Sequence, residues 1–209
     1  MTIDRAGYPF IGGTAALAIA AAVTVGYAGA VPLFILAGFF LYFFRDPDRE
    51  SPQDPALVLS PADGRVLVAG PAEPNATPPG DWQQISIFLS PVDVHVNRTP
   101  VSGRVTKVDF RPGKFLPAFH KDAAASNERS EIWVDHAGVP VVFRQLVGIL
   151  ARRVVTRVQP GAELRSGERI GLMKFGSRMD VFIPVSAELK VKVGDAVVGG
   201  VTVIALLKN

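Results

Sequence analysis

Leu189-Lys190-Val191-Lys192-Val193 alternates apolar and charged residues without a break. Successive side chains of an extended chain point to opposite faces, so this spacing predicts a half-buried strand. Working outward, segments 65–68, 85–89, 139–147, 154–158 and 201–207 read as further strands. Between them sit turn signals: Asp63-Gly64, Pro79-Gly80, Pro112-Gly113, His136-Ala137-Gly138, Pro160-Gly161, Ser166-Gly167 and Val193-Gly194-Asp195. Segment 71–81, with four prolines, reads as a surface loop, and 118–129 is the stretch suited to a short helix. Many short strands with regular turns predict a mainly β fold, a compact barrel or sandwich.

The first fifth of the chain is different. Residues 8–44 carry no charged side chain. A bilayer-spanning helix needs roughly 20 apolar residues, so the run suits one generous span or a hairpin of two short ones. Gly26, Gly29 and Pro32 punctuate it, and proline ends or kinks helices. Two helical pieces are therefore expected, at about 9–28 and 31–44. A cleaved signal peptide has a shorter apolar region and a small-residue cleavage site; here the run ends in Phe39-Phe40-Leu41-Tyr42-Phe43-Phe44. Those aromatics suit a membrane interface. Arg5 precedes the run and Arg45 and Arg49 follow it. Positive residues prefer the cytoplasmic side, so a hairpin with both ends inside, and a cytoplasmic body, is the expected orientation. The chain divides into an N-terminal α-helical membrane segment, 1–44, and a β-rich catalytic body, 45–209.

Asp4 and Arg5 cancel, so the body carries the whole chain's formal net charge of +3. Without a dense Lys/Arg block or interleaved aromatics, no nucleic-acid partner is expected. A mild basic excess beside an anchor fits anionic lipid headgroups, and it fits an ordinary solvated surface equally. The chain has no cysteine, which leaves the redox compartment unread.

Met173-Lys174-Phe175-Gly176-Ser177-Arg178 carries the strongest chemical signal. A serine hydroxyl is a weak nucleophile unless activated. At a Gly-Ser step it can attack its own backbone, because glycine offers no side chain in the way and adopts unusual backbone angles. Elimination from the resulting ester leaves a new N-terminus that hydrolyses to a pyruvoyl group, an electron sink for amino-acid decarboxylation. Taken alone, a Gly-Ser step is more often a turn.

Other polar clusters bear on this. Ser60-Pro61-Ala62-Asp63-Gly64 puts an acid in a tight turn. In Ser90-Pro91-Val92-Asp93-Val94-His95-Val96-Asn97-Arg98, residues Asp93, His95 and Asn97 share one face if the segment stays extended. His95 is the best candidate base, since histidine titrates near neutrality. His136 falls in a predicted hairpin turn, where exposure is expected; His120 lies near the predicted helix. In Asn127-Glu128-Arg129 the arginine either clamps a carboxylate or phosphate or pairs with Glu128. Three scattered histidines without cysteine make a poor metal site, so none is expected.

Together these segments resemble the phosphatidylserine decarboxylase family in its short, membrane-anchored form. The resemblance rests on Phe43-Phe44-Arg45-Asp46-Pro47-x-Arg49, Ser60 to Gly64, Ser90-Pro91-x-Asp93-x-His95, Asn127-Glu128-Arg129 and Phe175-Gly176-Ser177, in that order. It implies a proenzyme that cleaves itself between Gly176 and Ser177 into a large and a small chain, with Ser177 becoming a covalent pyruvoyl cofactor. It implies phosphatidylserine as substrate, phosphatidylethanolamine and carbon dioxide as products, and the cell membrane as the place of work. Ser177, His95 and Asp63 would be catalytic, and Asn127 and Arg129 substrate-binding. Longer members carry a second histidine where this chain has Arg98, so either His95 serves both cleavage and decarboxylation or His120 takes one role. Segments 100–105 and 191–200 also resemble half-motifs of biotinyl- and lipoyl-carrier domains, which adds hybrid elements of that kind to the expected fold. With Met173-Lys174 they supply the alternative reading, a membrane-tethered carrier or adaptor without catalysis. A pyruvoyl enzyme for a soluble amino acid would need no anchor. A homo-oligomer stays open.

Overall fold

The computed structural model describes residues 2–73, 77–120, 122–149, 153–174 and 177–208. The chain forms two compact units, Met1–Asp48 and Arg49–Asn209.

In the first unit, helix α1 is Tyr8–Thr24 and helix α2 is Tyr27–Phe43, 17 residues each. At ~1.5 Å per residue each is roughly 26 Å long, close to the ~30 Å hydrocarbon core of a bilayer. With the turn that precedes α1, Arg5–Thr24 is long and apolar enough to cross a membrane. The break falls at Val25-Gly26 and not, as expected, between 28 and 31. Gly26 has φ +93°, a conformation that side chains with a Cβ avoid. Pro32 lies inside α2, where its missing N–H costs one bond, to Ala28 near the helix start. Phe10 lies 5.4 Å from both Phe40 and Phe44, so the helices run antiparallel. Thr2–Ile3 pairs with Arg45–Asp46, and Asp4 N donates to Phe44 O at 2.8 Å. Both ends of the hairpin therefore lie together.

The second unit is mainly β. Its principal strands are β1 Gly64–Pro71, β2 Trp82–Leu89, β3 Val96–Arg98, β4 Gly103–Arg111, β5 Arg129–His136, β6 Val139–Val147, β7 Val154–Thr156, β8 Arg169–Met173 and β9 Ser177–Pro184. A curled antiparallel sheet of eight runs Glu163–Leu164, β4, β5, β6, β9, β2, β1, Ala196–Val197. One face carries Ile85, Ile87, Ile132, Phe143, Met179, Val181 and Ile183, all buried in one core. Burying each side chain of this size contributes about 1.5–3 kcal/mol. Two three-stranded sheets complete the unit: β7-β8-β3, and Glu188–Leu189, Val203–Leu206, Leu57–Leu59.

Several expectations change. Of the alternating stretch 189–193, only Leu189 is strand, within Glu188–Leu189. Asp195 accepts from Lys192 N at 2.9 Å, and Gly194 N donates to Val66 O at 2.9 Å, which bends the chain into a turn against β1. The predicted helix shrinks to α3, Ala123–Ser126. The Ser177–Pro184 strand has no alternating signature, because it is buried on both faces. His136 is buried and not exposed: Nδ1 lies 2.6 Å from Ser102 O and Nε2 2.8 Å from Pro55 O. Its ring ties two loops together.

Candidate active site

Ser177 opens β9, between the ends of two strands. It sits opposite Leu89 on β2 and Val147 on β6. Its side chain is fully buried, and its Oγ has no hydrogen-bond partner among the described residues. A buried hydroxyl without a partner costs about 1–3 kcal/mol, so this one calls for a chemical explanation. Phe175 and Gly176 lie outside the described residues, and the expected cleavage bond with them.

His95 is brought toward this strand by β3 and β8. Val96 pairs with Leu172, and Met173 N donates to His95 O at 3.3 Å. The imidazole is buried, with Nδ1 2.9 Å from Asp93 O. A carbonyl only accepts, so Nδ1 carries the hydrogen and Nε2 is the basic nitrogen of the neutral ring. The segment before β3 does not stay extended. Asp93 folds back, accepting from Ser90 N at 2.8 Å and Ser90 Oγ at 2.7 Å, and this closes the turn that carries His95. Asp93 and His95 therefore do not share a strand face with Asn97.

Asp63 stands at the head of β1, the same end of the sheet as Ser177, because Arg65 pairs with Phe88 and Leu89 with Ser177. Its carboxylate takes two bonds from Arg49, at 2.6 and 2.8 Å, and one from Gly199 N at 2.8 Å. None of its bonds goes to His95 or Ser177. Arg98, at the position of the second histidine of longer relatives, is buried and donates to Gly167 O at 2.9 Å.

Asn127 is a clamp. Its amide accepts from Leu116 N at 3.0 Å and donates to Leu116 O at 2.8 Å and Val147 O at 2.9 Å. It so fixes the loop after β4 to the residue beside Ser177. Arg129 begins β5 at the same sheet end, donating to Ala125 O at 3.1 Å while Nε is buried without a partner among the described residues. Burial holds its guanidinium below the ordinary arginine value, and repulsion from Arg144 and Arg111 adds to this. His120 is largely exposed, and among the described residues its ring bonds locally: Nδ1 accepts from Asp122 N at 3.2 Å.

Two features escaped the sequence. One is the Arg49–Asp63 pair, whose partners share no local pattern. The other is a buried polar chain beneath Ser177. Gln145 Nε2 donates to Asn97 Oδ1, and Thr156 Oγ1 donates to Gln145 Oε1 and accepts from Ser130 Oγ, each at 2.8 Å. Gln145 pairs with Met179 and Val147 with Ser177, so the network lies two residues down the sheet from the serine. A glutamine inside the otherwise apolar end of β6 was its one visible signal.

A mainly β unit with a buried serine hydroxyl that lacks a partner among the described residues, in a chain that also carries an apolar helical hairpin, fits a hydrolytic or lyase-type enzyme site. Comparison with known proteins gives the family. The model for phosphatidylserine decarboxylase matches residues 36–205. The phosphatidylserine decarboxylase proenzyme of Magnetococcus marinus is 41% identical, over 99% of this chain and 96% of its own. That of Solibacter usitatus is 45% identical over 91% of each chain. The one from Symbiobacterium thermophilum is 45% identical over 98% of this chain and 95% of its own. The chain belongs to the phosphatidylserine decarboxylase family. Its activity is that family's, the loss of carbon dioxide from phosphatidylserine to leave phosphatidylethanolamine, and the carrier reading is displaced.

Proposed function

We propose that the chain cleaves itself between Gly176 and Ser177 and then decarboxylates phosphatidylserine with a pyruvoyl group at position 177. The observation that carries this reading is the buried Ser177 hydroxyl, without a partner among the described residues, at the head of β9. In cleavage, Oγ attacks the Gly176 carbonyl carbon, and the amide bond is replaced by an ester as the amine takes a proton. Loss of the α-proton then expels the Gly176 carboxylate and leaves a double bond at residue 177. Water completes the conversion, releasing ammonia.

The site fits such a group: Leu89 and Val147 flank residue 177 and keep water away. A pyruvoyl ketone, once formed, supplies the electron withdrawal that a pyridoxal cofactor supplies elsewhere. The chain's own groups do the rest. His95, held by the Asp93 carbonyl so that Nε2 is its basic nitrogen, takes a proton from water at Nε2 and delivers it to the substrate α-carbon after carbon dioxide leaves. Arg129, cationic and with Nε without a partner among the described residues, draws the substrate's anionic headgroup to this end of the sheet. Asn127 keeps the neighbouring loop on Val147. Asp63, locked by Arg49 and Gly199 N, fixes the turn at the head of β1; a direct relay from Asp63 to His95 is not part of this proposal. The hairpin holds the body at the cell membrane, and the flanking Arg5 and Arg45 favour a cytoplasmic body.

Intact-mass measurement tests this. The purified protein should consist of residues 1–176 and a blocked chain starting at 177. Ser177→Ala should remain one chain and be inactive. If the alanine variant still splits there, Ser177 is not the nucleophile.

A further inference from the structure

A cavity of about 740 Å³ opens where the turn before β8 meets β3, lined by Arg49, Ser51, Arg98, Arg165, Ser166 and Arg169 among others. Its four guanidinium groups face a single carboxylate on the wall, Glu168. Arg49 is matched by Asp63.

The wall is built before any ligand arrives. Arg98 is buried and fixed by its bond to Gly167 O at 2.9 Å. The turn is closed by Glu168, which accepts from Arg165 N at 2.9 Å, and by Gly167 N, which donates to Thr99 O at 3.0 Å. Gln53 donates to Ser166 O at 3.1 Å from the opposite side. Gly167 has φ +77°, and a Cβ there would stand 1.9 Å from Ser51 Oγ, so the turn tolerates no side chain. Within this frame, Ser166 Oγ is buried and has no partner among the described residues, although the residue lines the cavity. The exposed Arg165 guanidinium likewise has no partner among them. An orphaned hydroxyl inside a cationic wall calls for an acceptor with several oxygens.

We propose that this cavity binds the phosphate group of a phosphate ester. One arginine satisfies a carboxylate bidentately. Guanidinium groups arriving from three segments, with hydroxyl donors between them, match a tetrahedral anion better. Arg98 lies three residues along β3 from His95, about 10 Å at ~3.3 Å per residue, so the site borders the reaction centre without coinciding with it. Two sources share this chemistry: a phospholipid headgroup and a soluble phosphate. The lipid source rests on the reaction proposed above; the phosphate site itself does not.

The test uses the full chain in uncharged detergent, with Arg165→Ala and Ser166→Ala. Neither residue touches the reacting atoms, and self-cleavage and melting temperature in each variant check folding. Inorganic phosphate is titrated calorimetrically. Phosphatidylglycerol, a phosphodiester without an amine to react, is added to mixed micelles as an inhibitor of decarboxylation. Wild-type protein should bind phosphate, and Arg165→Ala should weaken binding by about 10- to 100-fold, the range for a lost charge-assisted bond. Arg165→Lys should recover part of it. Inhibition by phosphatidylglycerol that falls in parallel identifies the ligand as a lipid headgroup; phosphate binding without such inhibition identifies it as soluble phosphate. Phosphate affinity unchanged in both variants, or absent in wild type, overturns the site. Ser177→Ala should bind phosphate as wild type does, so failure of the reaction and failure of this site are separately visible.

Discussion

At the scale of single residues, the site holds groups whose surroundings disagree with their chemistry. Ser177 is a hydroxyl in an apolar slot, and Arg129 a cation with a buried nitrogen that has no partner among the described residues. His95 is different, because its turn gives it a defined tautomer. His95→Ala should lower turnover by about 10²–10⁴-fold, the range for a general acid–base residue. A variant that self-cleaves but does not turn over confines His95 to decarboxylation. One that stays uncleaved gives it both roles, Arg98 being unable to act as a base. Normal cleavage with near-normal turnover removes it from the mechanism and points to His120. For Arg129, burial lowers the pKa, so the fold disfavours the charged form. A guanidinium remains charged at any working pH, so this penalty acts below its folded-state pKa, across the whole physiological range. Arg129→Met should therefore melt no lower than wild type while raising KM for phosphatidylserine. A large fall in melting temperature with KM unchanged would make Arg129 a structural residue only.

At the scale of elements, the small sheet β7-β8-β3 sets where His95 stands relative to the chain that leads to Ser177. It carries His95 at one edge and leads through Met173 toward the Gly-Ser step. Gly171, in its central strand, has no room for a side chain: a Cβ would lie 2.0 Å from Val155 O and 3.1 Å from Gln145 Nε2. Gly171→Ala must push β7 away or strain β8. Overpacking of this kind costs about 1–3 kcal/mol, and a melting curve should fall by about 4–8 °C. Because the strain enters beside the Gln145–Asn97 chain, self-cleavage should slow as well. Unaltered melting and cleavage would show that β7 moves freely and does not support the site. On the opposite face of β9, Arg178 donates to Asp180 at 2.5 Å and to Ser86 Oγ at 2.8 Å, which locks the strand bearing Ser177 onto β2.

At the scale of the whole molecule, the apolar helical hairpin and the residues proposed for the chemistry belong to different units. The unit from Arg49 onward has its own core and holds Ser177, His95 and Asp63. Its first residue is the partner of Asp63, with both side chains mostly buried. Removing residues 1–48 should release the protein from membranes and leave self-cleavage largely intact. Carrying Arg49→Ala in that same truncation should leave the Asp63 carboxylate without its cation, at a cost of about 3 kcal/mol, and cleavage should fail or slow markedly. A 1–48 truncation that folds but never cleaves would show that the hairpin helps to build the site.

Much of this was legible because it is local. Residues 8–44 announce apolar helices by lacking charge, and the turn dipeptides announce a mainly β body. The order of short motifs, ending in Gly176-Ser177, announces the family. Local signals failed where burial overrode pattern. Ser177–Pro184 is buried on both faces and so shows no alternation, whereas 189–193 alternates well and is turned aside by Asp195. The helix break was misplaced because proline is conspicuous in a sequence, while the cost that decides is the backbone angle available at Gly26. Only the tertiary structure could place Arg49 on Asp63, His136 between two carbonyls, and Ser166 in a cationic wall. Such contacts join residues as far as 150 positions apart, as Arg49 and Gly199 O do. They depend on which strands pair and in which register, and no short stretch of sequence encodes that.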